Sequence, residues 1–549
     1  MQFDERSLKE SVDLPRDHTI LAWHPQFVKD TLVDFDVIIH RGTVVDGSGQ
    51  RRSFVADLGF REDRIAAVGD LNGARAKSTV DAQGLVVSPG FIDAHVHSEI
   101  ALLGGRDQMA GALQGITTHF LSPDGFGWAP LSQAQARELW RYTQFAYQKM
   151  DHLSLDWPTV ESYLSLFPGN SPLNVVPQAP HCAIRLAVMG WDTRVATDEE
   201  LRGMERITRE WMDAGAVGLC LGLDYSPSIN ADMRELVALA RVLASYQGVF
   251  AAHMRYQVLG RYGAWQELLE VSREAEVPVH ASHERVDEAA QAALDRVEQE
   301  DIDLTFESYL YPAGMTHIAM LLPVDVQDGG IDAMLLKMAD PAVRRRSLVH
   351  LKEQLGTVGD QIVCSTGSGR FTGATLAEAA DKAGRSWEEF AYDLVIEEEG
   401  HELWISPWLV SSEEKERIVR CTAVHPRMFI ASDGGYNIAH PHPRSHGCFA
   451  RVLRRFVREL GLLSLEEAIY KMSGFPAHRF GLKDRGCIAE GKAADVVVFD
   501  PVRIADRSTW QNPVQTAVGV EWVFVNGIPV VASGQPTGHL PGQVLRRSA

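Results

Sequence analysis

The sequence is poor in cysteine: Cys182, Cys220, Cys364, Cys421, Cys448 and Cys487 are its only six in 549 residues, and no two form a C-x-x-C pair. That excludes a disulfide framework and a structural zinc cluster, leaving scattered reduced thiols. Long apolar runs are missing too. No stretch reaches transmembrane length, and residues 1–33 carry charges throughout, with no apolar core of a signal peptide. A cytoplasmic protein is expected. Positive charge is scarce, with 53 Lys and Arg against 73 Asp and Glu and a formal net charge of −20. Nucleic acid needs a basic face to displace counterions, and anionic membranes attract cations, so neither partner is expected. An anionic small molecule would need particular cations to hold it.

What is present is a strand–helix rhythm. Residues 34–90 read as short strands punctuated by the turn Asp46-Gly47-Ser48-Gly49; no lysine–serine pair follows those glycines, so they make no phosphate loop. From about 85 to 440, eight short apolar runs end in polar residues: LVVSPGFIDAHVH, ITTHFLSPD, LNVVPQAPH, GAVGLCLGLDY, GVFAAHMR, VPVHASHE, IDLTFESYLYP and MFIASDGG. Most are followed by a helical pattern. In one, Leu236, Leu239, Ala240 and Leu243 fall at i, i+3, i+4, i+7. Eight strand–helix units with reactive side chains at the strand ends predict an α/β fold, a (β/α)8 TIM-like barrel whose site lies on that face. Residues 312–427 are too long for one crossover and predict an insertion. Ser464-Leu465-Glu466-Glu467 is a capping box, and strands return in GKAADVVVFDP and EWVFVNGIPVV, the latter turning at Asn526-Gly527. The expected organisation is an extension (1–33), a small β-sandwich domain built from both ends (34–90 with 485–549), and the barrel (91–484).

Chemistry gathers at the strand ends. His95 and His97 alternate on the first strand and share a face. His253 ends the fifth strand, His283 the sixth and Asp433 the eighth. Four histidines and a carboxylate converging on one rim need pairing or a cation. Imidazole and carboxylate donors with room for water suit catalytic Zn²⁺.

The segments PGFIDAHVH, AAHMR, ASHE and IASDGG resemble the amidohydrolase superfamily. GLDYSP, TGATLAEAA, HPHPRSHGCFARVLRRFVREL, KMSGFPAHRFGLKDRG, EGKAADVVVFDP and VNGIPVVASGQPTGHLPGQVLR resemble its D-aminoacylase, or N-acyl-D-amino-acid deacylase, branch over roughly residues 34–546. The resemblance implies one or two zinc ions per chain. His95, His97 and Asp433 would hold one position, and His253 and His283 the other. Where that family carries a ligand cysteine in a T-T-x-x-x-x-N-C-G segment, this chain has Asp124. Two readings of Asp124 stand: a harder bridging ligand, or a turn aspartate before Gly125 beside a single metal. His119 is an alternative ligand. The resemblance also implies a grip on a substrate carboxylate by Arg285 (a lysine in the family) and Arg444, helped by Tyr225 and Tyr311. His181 is implied as a donor to the oxyanion, and Asp433 as the proton carrier. His440 and His442 read as loop shapers, and Cys220 as pocket lining rather than a nucleophile. The expected reaction is hydrolysis of an N-acyl, D-configured amino acid. A cyclic amide hydrolase of the hydantoinase kind is the alternative, although such enzymes bridge their metals with a lysine that these strand ends lack. A metal-bearing protein without turnover is the third reading.

Overall fold

Alternation along Val496–Phe499 sets the first layer. Val496 and Val498 enter a small core with Val37, Ile39, Leu58, Phe60 and Phe524, whereas Val497 and Phe499 enter the large core of the molecule. Such a strand is buried on both faces. The computed structural model describes residues 34–105, 107–147, 153–355 and 361–547. The predicted extension, residues 1–33, and the Cys364 side chain lie outside the described parts. The sheet containing Val496–Phe499 has nine strands. Its order runs Gln535–Pro536, Ile528–Ala532, Val520–Val525, Val496–Phe499, Val86–Pro89, Phe35–Val44, Phe54–Arg61 and Arg64–Gly69, with Ala76–Asp81 beside Phe35–Val44. Val87 opposes Val498 in an antiparallel pair that joins early and late sequence. Three strands separate those of Phe60 and Phe524 in this order, yet the two rings meet edge-on at 5.4 Å. The sheet therefore curls over itself into a small β-sandwich. Asn526 and Gly527 both take positive φ, 50° and 77°, the hairpin geometry that Asn-Gly favours.

The other face of that sheet rests on a barrel of parallel strands. They are Phe91–Asp93, Ile116–Phe120, Asn174–Val176 (resumed at Ala179–Pro180), Gly218–Gly222, Val249–His253, Val279–Ala281, Leu304–Ser308 and Met428–Ile430. Each pairs with the next, as in Leu219 opposite Phe250 and Phe306 opposite Met428. Closure falls between the first and eighth strands. Ser432 donates its backbone N–H to Asp93 Oδ1 at 2.9 Å, and Asp433 donates its N–H to the His95 carbonyl at 2.8 Å. Helix Met233–Ser245 buries Leu236, Leu239, Ala240 and Leu243 on one face, and Asp232 caps it by accepting from Glu235 N–H at 2.9 Å. Ser464 caps Leu465–Ile469 through the predicted box.

Between the seventh and eighth strands the chain leaves the barrel. Ala313–Thr316, Leu403–Pro407 and Ile362–Ser365 form a three-stranded antiparallel sheet flanked by helices Gly330–Met338, Pro341–Leu355 and Trp387–Glu397. Glu402 enters this sheet fully buried, with Oε1 accepting from Ala319 N–H at 3.1 Å. Burial pushes its carboxyl up to about 8. A raised carboxyl binds its proton more tightly in the folded chain, so its contribution to stability is complete below about pH 4.5 and is lost as pH rises through 8. Glu402→Gln should flatten that fall and raise Tm at pH 8 relative to pH 5. Equal Tm differences at the two pH values would contradict it.

Among the described residues no helix is long and apolar enough to cross a membrane, and Cys182, Cys220, Cys421, Cys448 and Cys487 are free thiols.

Candidate metal centre and substrate pocket

The barrel delivers its reactive side chains to one rim. His95 and His97 follow the first strand, Asp124 follows the second, His253 closes the fifth, His283 follows the sixth and Asp433 follows the eighth. Asp124 stands in the middle. Its Oδ1 lies 3.4 Å from His95 Nε2, 3.6 Å from His283 Nε2 and 3.9 Å from His253 Nδ1, and its Oδ2 lies 3.6 Å from His97 Nε2. Two overlapping donor sets result, His95–His97–Asp124 and Asp124–His253–His283, each with its atoms within 4.8 Å of one another. Asp433 Oδ1 reaches His97 Nε2 at 3.6 Å and His95 Nε2 at 4.0 Å. The turn reading of Asp124 therefore describes its backbone but not the position of its carboxylate.

That position requires a strained backbone, which a buried acid braces. Asp124, His283 and Asp433 have positive φ of 53°, 40° and 45°, a conformation costing non-glycine residues about 1–3 kcal/mol each and typical of functional sites. Ser122, two residues before Asp124, also has positive φ (64°), and Glu99 Oε1 accepts its backbone N–H at 2.6 Å.

Carboxylates behind the histidines fix their rings. Glu307 Oε1 lies 3.0 Å from His95 Nδ1, leaving Nε2 for Asp124, and also accepts from His283 N–H at 2.9 Å. Asp224 Oδ2 lies 3.2 Å from His253 Nε2, leaving Nδ1 to face His283 Nε2 at 3.0 Å. Such partners orient metal-binding imidazoles and raise their basicity. Neither Glu307 nor Asp224 is among the site residues expected from the sequence. The available signal was an acid inside or just after an otherwise apolar strand run, in LTFES and GLDY.

The electrostatics ask for a cation. Burial opposes charge on His95, yet the nearby Asp124 and then Glu307 outweigh it and raise the imidazole well above its ordinary range. Burial likewise opposes charge on Asp124, while His95, His283 and His97 hold it well below the carboxylate range. His95 Nε2 and Asp124 Oδ1, which face each other in the cluster, are buried without a hydrogen-bond partner. Nitrogen and oxygen donors left unsatisfied around carboxylates fit a borderline-soft dication such as Zn²⁺. Asp433 is drawn up by burial, but Arg444, then His283, His97 and His95, hold it at about 2.

A pocket of about 370 Å³ opens above this cluster, lined by His97, Asp124, His253, His283 and Asp433 below and by Arg261, Arg285, Arg444, Tyr225 and Tyr309 around. Met315, Thr316, Leu403, Ser406, Trp408 and Leu409 of the inserted segment complete its wall. Arg444 is fully buried, with Nη2 2.7 Å from Asp433 Oδ2 and with Nε and Nη1 unpartnered. Its guanidinium lies over the Tyr309 ring at 4.3 Å. Arg285 lies over Trp408 at 4.7 Å, and its carboxylate neighbour is Asp287, 3.5 Å from Nε.

Two expected substrate residues are elsewhere. Tyr311 does not line this pocket; its ring meets His442 and Trp510, with Arg451 above it. Leu310 has φ 55°, which breaks the strand alternation and leaves Tyr309 as the tyrosine facing the pocket. His181 is fully buried behind the rim, bonded to Ser228 Oγ at 2.9 Å and Glu235 Oε1 at 3.0 Å, because it opens helix His181–Met189 and turns with it. His119 is buried against Tyr436, away from the cluster, and burial alone drives its imidazole down to about 3. Cys220 is buried below the pocket wall, its thiol pushed up to about 12. His440 and His442 bond the carbonyls of Trp510 and Ala313, shaping the loop that carries Arg444.

Barrel, β-sandwich and a histidine–carboxylate cluster at one rim define a class, the barrels built to hold metal at the strands' C-terminal ends. Within that class, the chain belongs to the amidohydrolase family, whose model matches residues 78–531. It is 34% identical to a D-aminoacylase of Alcaligenes xylosoxydans xylosoxydans, over 94% of this chain and 98% of that one. A solved D-aminoacylase structure superposes with a TM-score of 0.77 at 32% identity, covering 93% of this chain and 100% of that chain. An N-acyl-D-glutamate deacylase of Bordetella bronchiseptica, solved with zinc and a phosphonate that mimics the tetrahedral intermediate, superposes with a TM-score of 0.76 at 31% identity, covering 93% and 99%.

Proposed function

We propose that this protein hydrolyses the amide bond of N-acyl-D-amino acids with one or two zinc ions held by His95, His97, Asp124, His253, His283 and Asp433. The observation that carries the reading is the meeting of two histidine pairs at Asp124, directly below a pocket rimmed by arginines. A zinc ion held by these residues would supply a water of lowered pKa and polarise the scissile carbonyl, which would allow attack on the amide near neutral pH. Asp433 takes the water's proton and passes it to the leaving amine. Arg444 and Arg285 hold the substrate's α-carboxylate by charge-assisted bonds, which fixes the scissile amide over the cluster. Tyr225 and Tyr309 take the assisting role, in place of Tyr311 and His181.

The division into a composite β-domain (34–90 with 485–549) and a barrel (91–484) carrying the 312–427 insertion is the matching domain reading. The free thiols support a cytoplasmic location, and the substrate is a small carboxylate-bearing molecule.

Assay of the zinc-loaded protein on N-acetyl D- and L-amino acids beside hydantoins tests the reaction. Turnover of the D-acyl series is expected, and activity confined to cyclic compounds would exclude the proposal. Arg285 gives the cleaner test of the clamp, because Arg444 also touches Asp433. Arg285→Met should raise KM about tenfold with kcat little changed, as loss of one charge-assisted bond implies. An unaltered KM would remove Arg285 from the clamp.

A further inference from the structure

The pocket has three arginines, and one of them is held by two carboxylates. Arg285 and Arg444 are those that the proposed function assigns to the α-carboxylate. The third, Arg261, projects from helix Tyr256–Ala275 and lines the same pocket. Its Nη2 lies 2.6 Å and its Nη1 3.2 Å from the two oxygens of Glu284, and its Nε lies 2.7 Å from Asp287 Oδ2. Glu284 also lines the pocket, is 2% exposed and accepts the Tyr256 hydroxyl. The rest of the wall is mostly apolar, with Phe145, Met315, Met320, Leu403, Trp408 and Leu409 beside the uncharged Thr316 and Ser406.

We infer that Glu284 sets the substrate's charge: by occupying Arg261 it denies a second carboxylate any cation, so the enzyme selects a monoanionic N-acyl amino acid with an uncharged, apolar side chain. A substrate carboxylate entering this half of the pocket loses water and meets Glu284 instead of a free guanidinium. Discrimination then comes from a repulsive element as well as an apolar wall. The inference rests on the deacylase reading. It is specific to this chain's His283-Glu284-Arg285 sequence, since an uncharged residue at 284 would leave Arg261 with Asp287 alone.

The test compares kcat/KM for N-acetyl-D-leucine and N-acetyl-D-glutamate in the zinc-loaded wild type, Glu284→Gln and Asp287→Asn. Asp287 also caps helix Glu288–Glu300 through Ala290 N–H at 3.1 Å, and asparagine caps equally well, so this second variant should fold. The wild type should prefer leucine by at least about tenfold, and Glu284→Gln should shrink that ratio by about tenfold. Asp287→Asn should shrink it less. A wild-type preference for glutamate, or an unchanged ratio in Glu284→Gln, overturns the inference. If Glu284→Gln does not fold, an unchanged ratio in Asp287→Asn does the same. If neither compound is hydrolysed, the deacylase reading itself fails. Calorimetric affinities for the two acids then decide the inference: tighter leucine-derivative binding that weakens in the variants supports it, and tighter glutamate-derivative binding overturns it.

Discussion

Asp433→Asn should lower kcat by roughly 10²–10⁴-fold, the contribution of a positioned acid–base group. The side chain keeps its volume and one acceptor oxygen for Arg444, so the loss is one of charge and proton capacity rather than of packing. Asn also tolerates the positive φ of 45° found at this position better than most residues. KM should move less than kcat, because Asp433 faces the histidines and Arg444, and Arg285 of the proposed clamp is left untouched. A variant retaining more than a tenth of wild-type kcat would assign the proton to another group.

Asp124→Asn should weaken zinc binding by at least about 100-fold, at or beyond the upper end of the 10–100-fold typical for partners behind the ligands. Asp124 is the one carboxylate shared by both donor sets. Removing its charge strands His95 and His283 beside an amide and leaves His253 and His283 facing each other at 3.0 Å. Asparagine again preserves the left-handed backbone, which alanine would not, so the comparison isolates the ligand charge. Asp124→Cys restores an anion of softer character and should bind zinc while shifting metal preference away from harder ions. Activity should follow metal content in all three proteins.

The barrel was legible because each of its strands is a short apolar run with a reactive residue at its end, and the histidines sit where those runs stop. The β-sandwich was legible from the valine runs and Asn526-Gly527. Three parts of the site were not. Glu307 and Asp224 look like any acid near a strand, and only their distances to His95 and His253 reveal that they orient the rings. Tyr309 and Tyr311 sit two residues apart, so alternation gives them one face; the positive φ of Leu310 separates them, and that is a backbone fact. His181 ends a strand in sequence but opens a helix in space, which turns it to Glu235. The inserted segment was visible as excess length between strands seven and eight. Its role as a pocket wall depends on how Ala313–Thr316 pairs with Leu403–Pro407, and that pairing leaves no local mark in either segment.

Asp124 belongs to both donor sets and is the residue that would join the two histidine pairs into one metal centre. Zinc titration of metal-free wild type and Asp124→Asn at one pH, read as stoichiometry and affinity, tests it most directly. The wild type should bind zinc tightly, and the variant should lose affinity at every site it retains. Identical stoichiometry and affinity in the two proteins would contradict it.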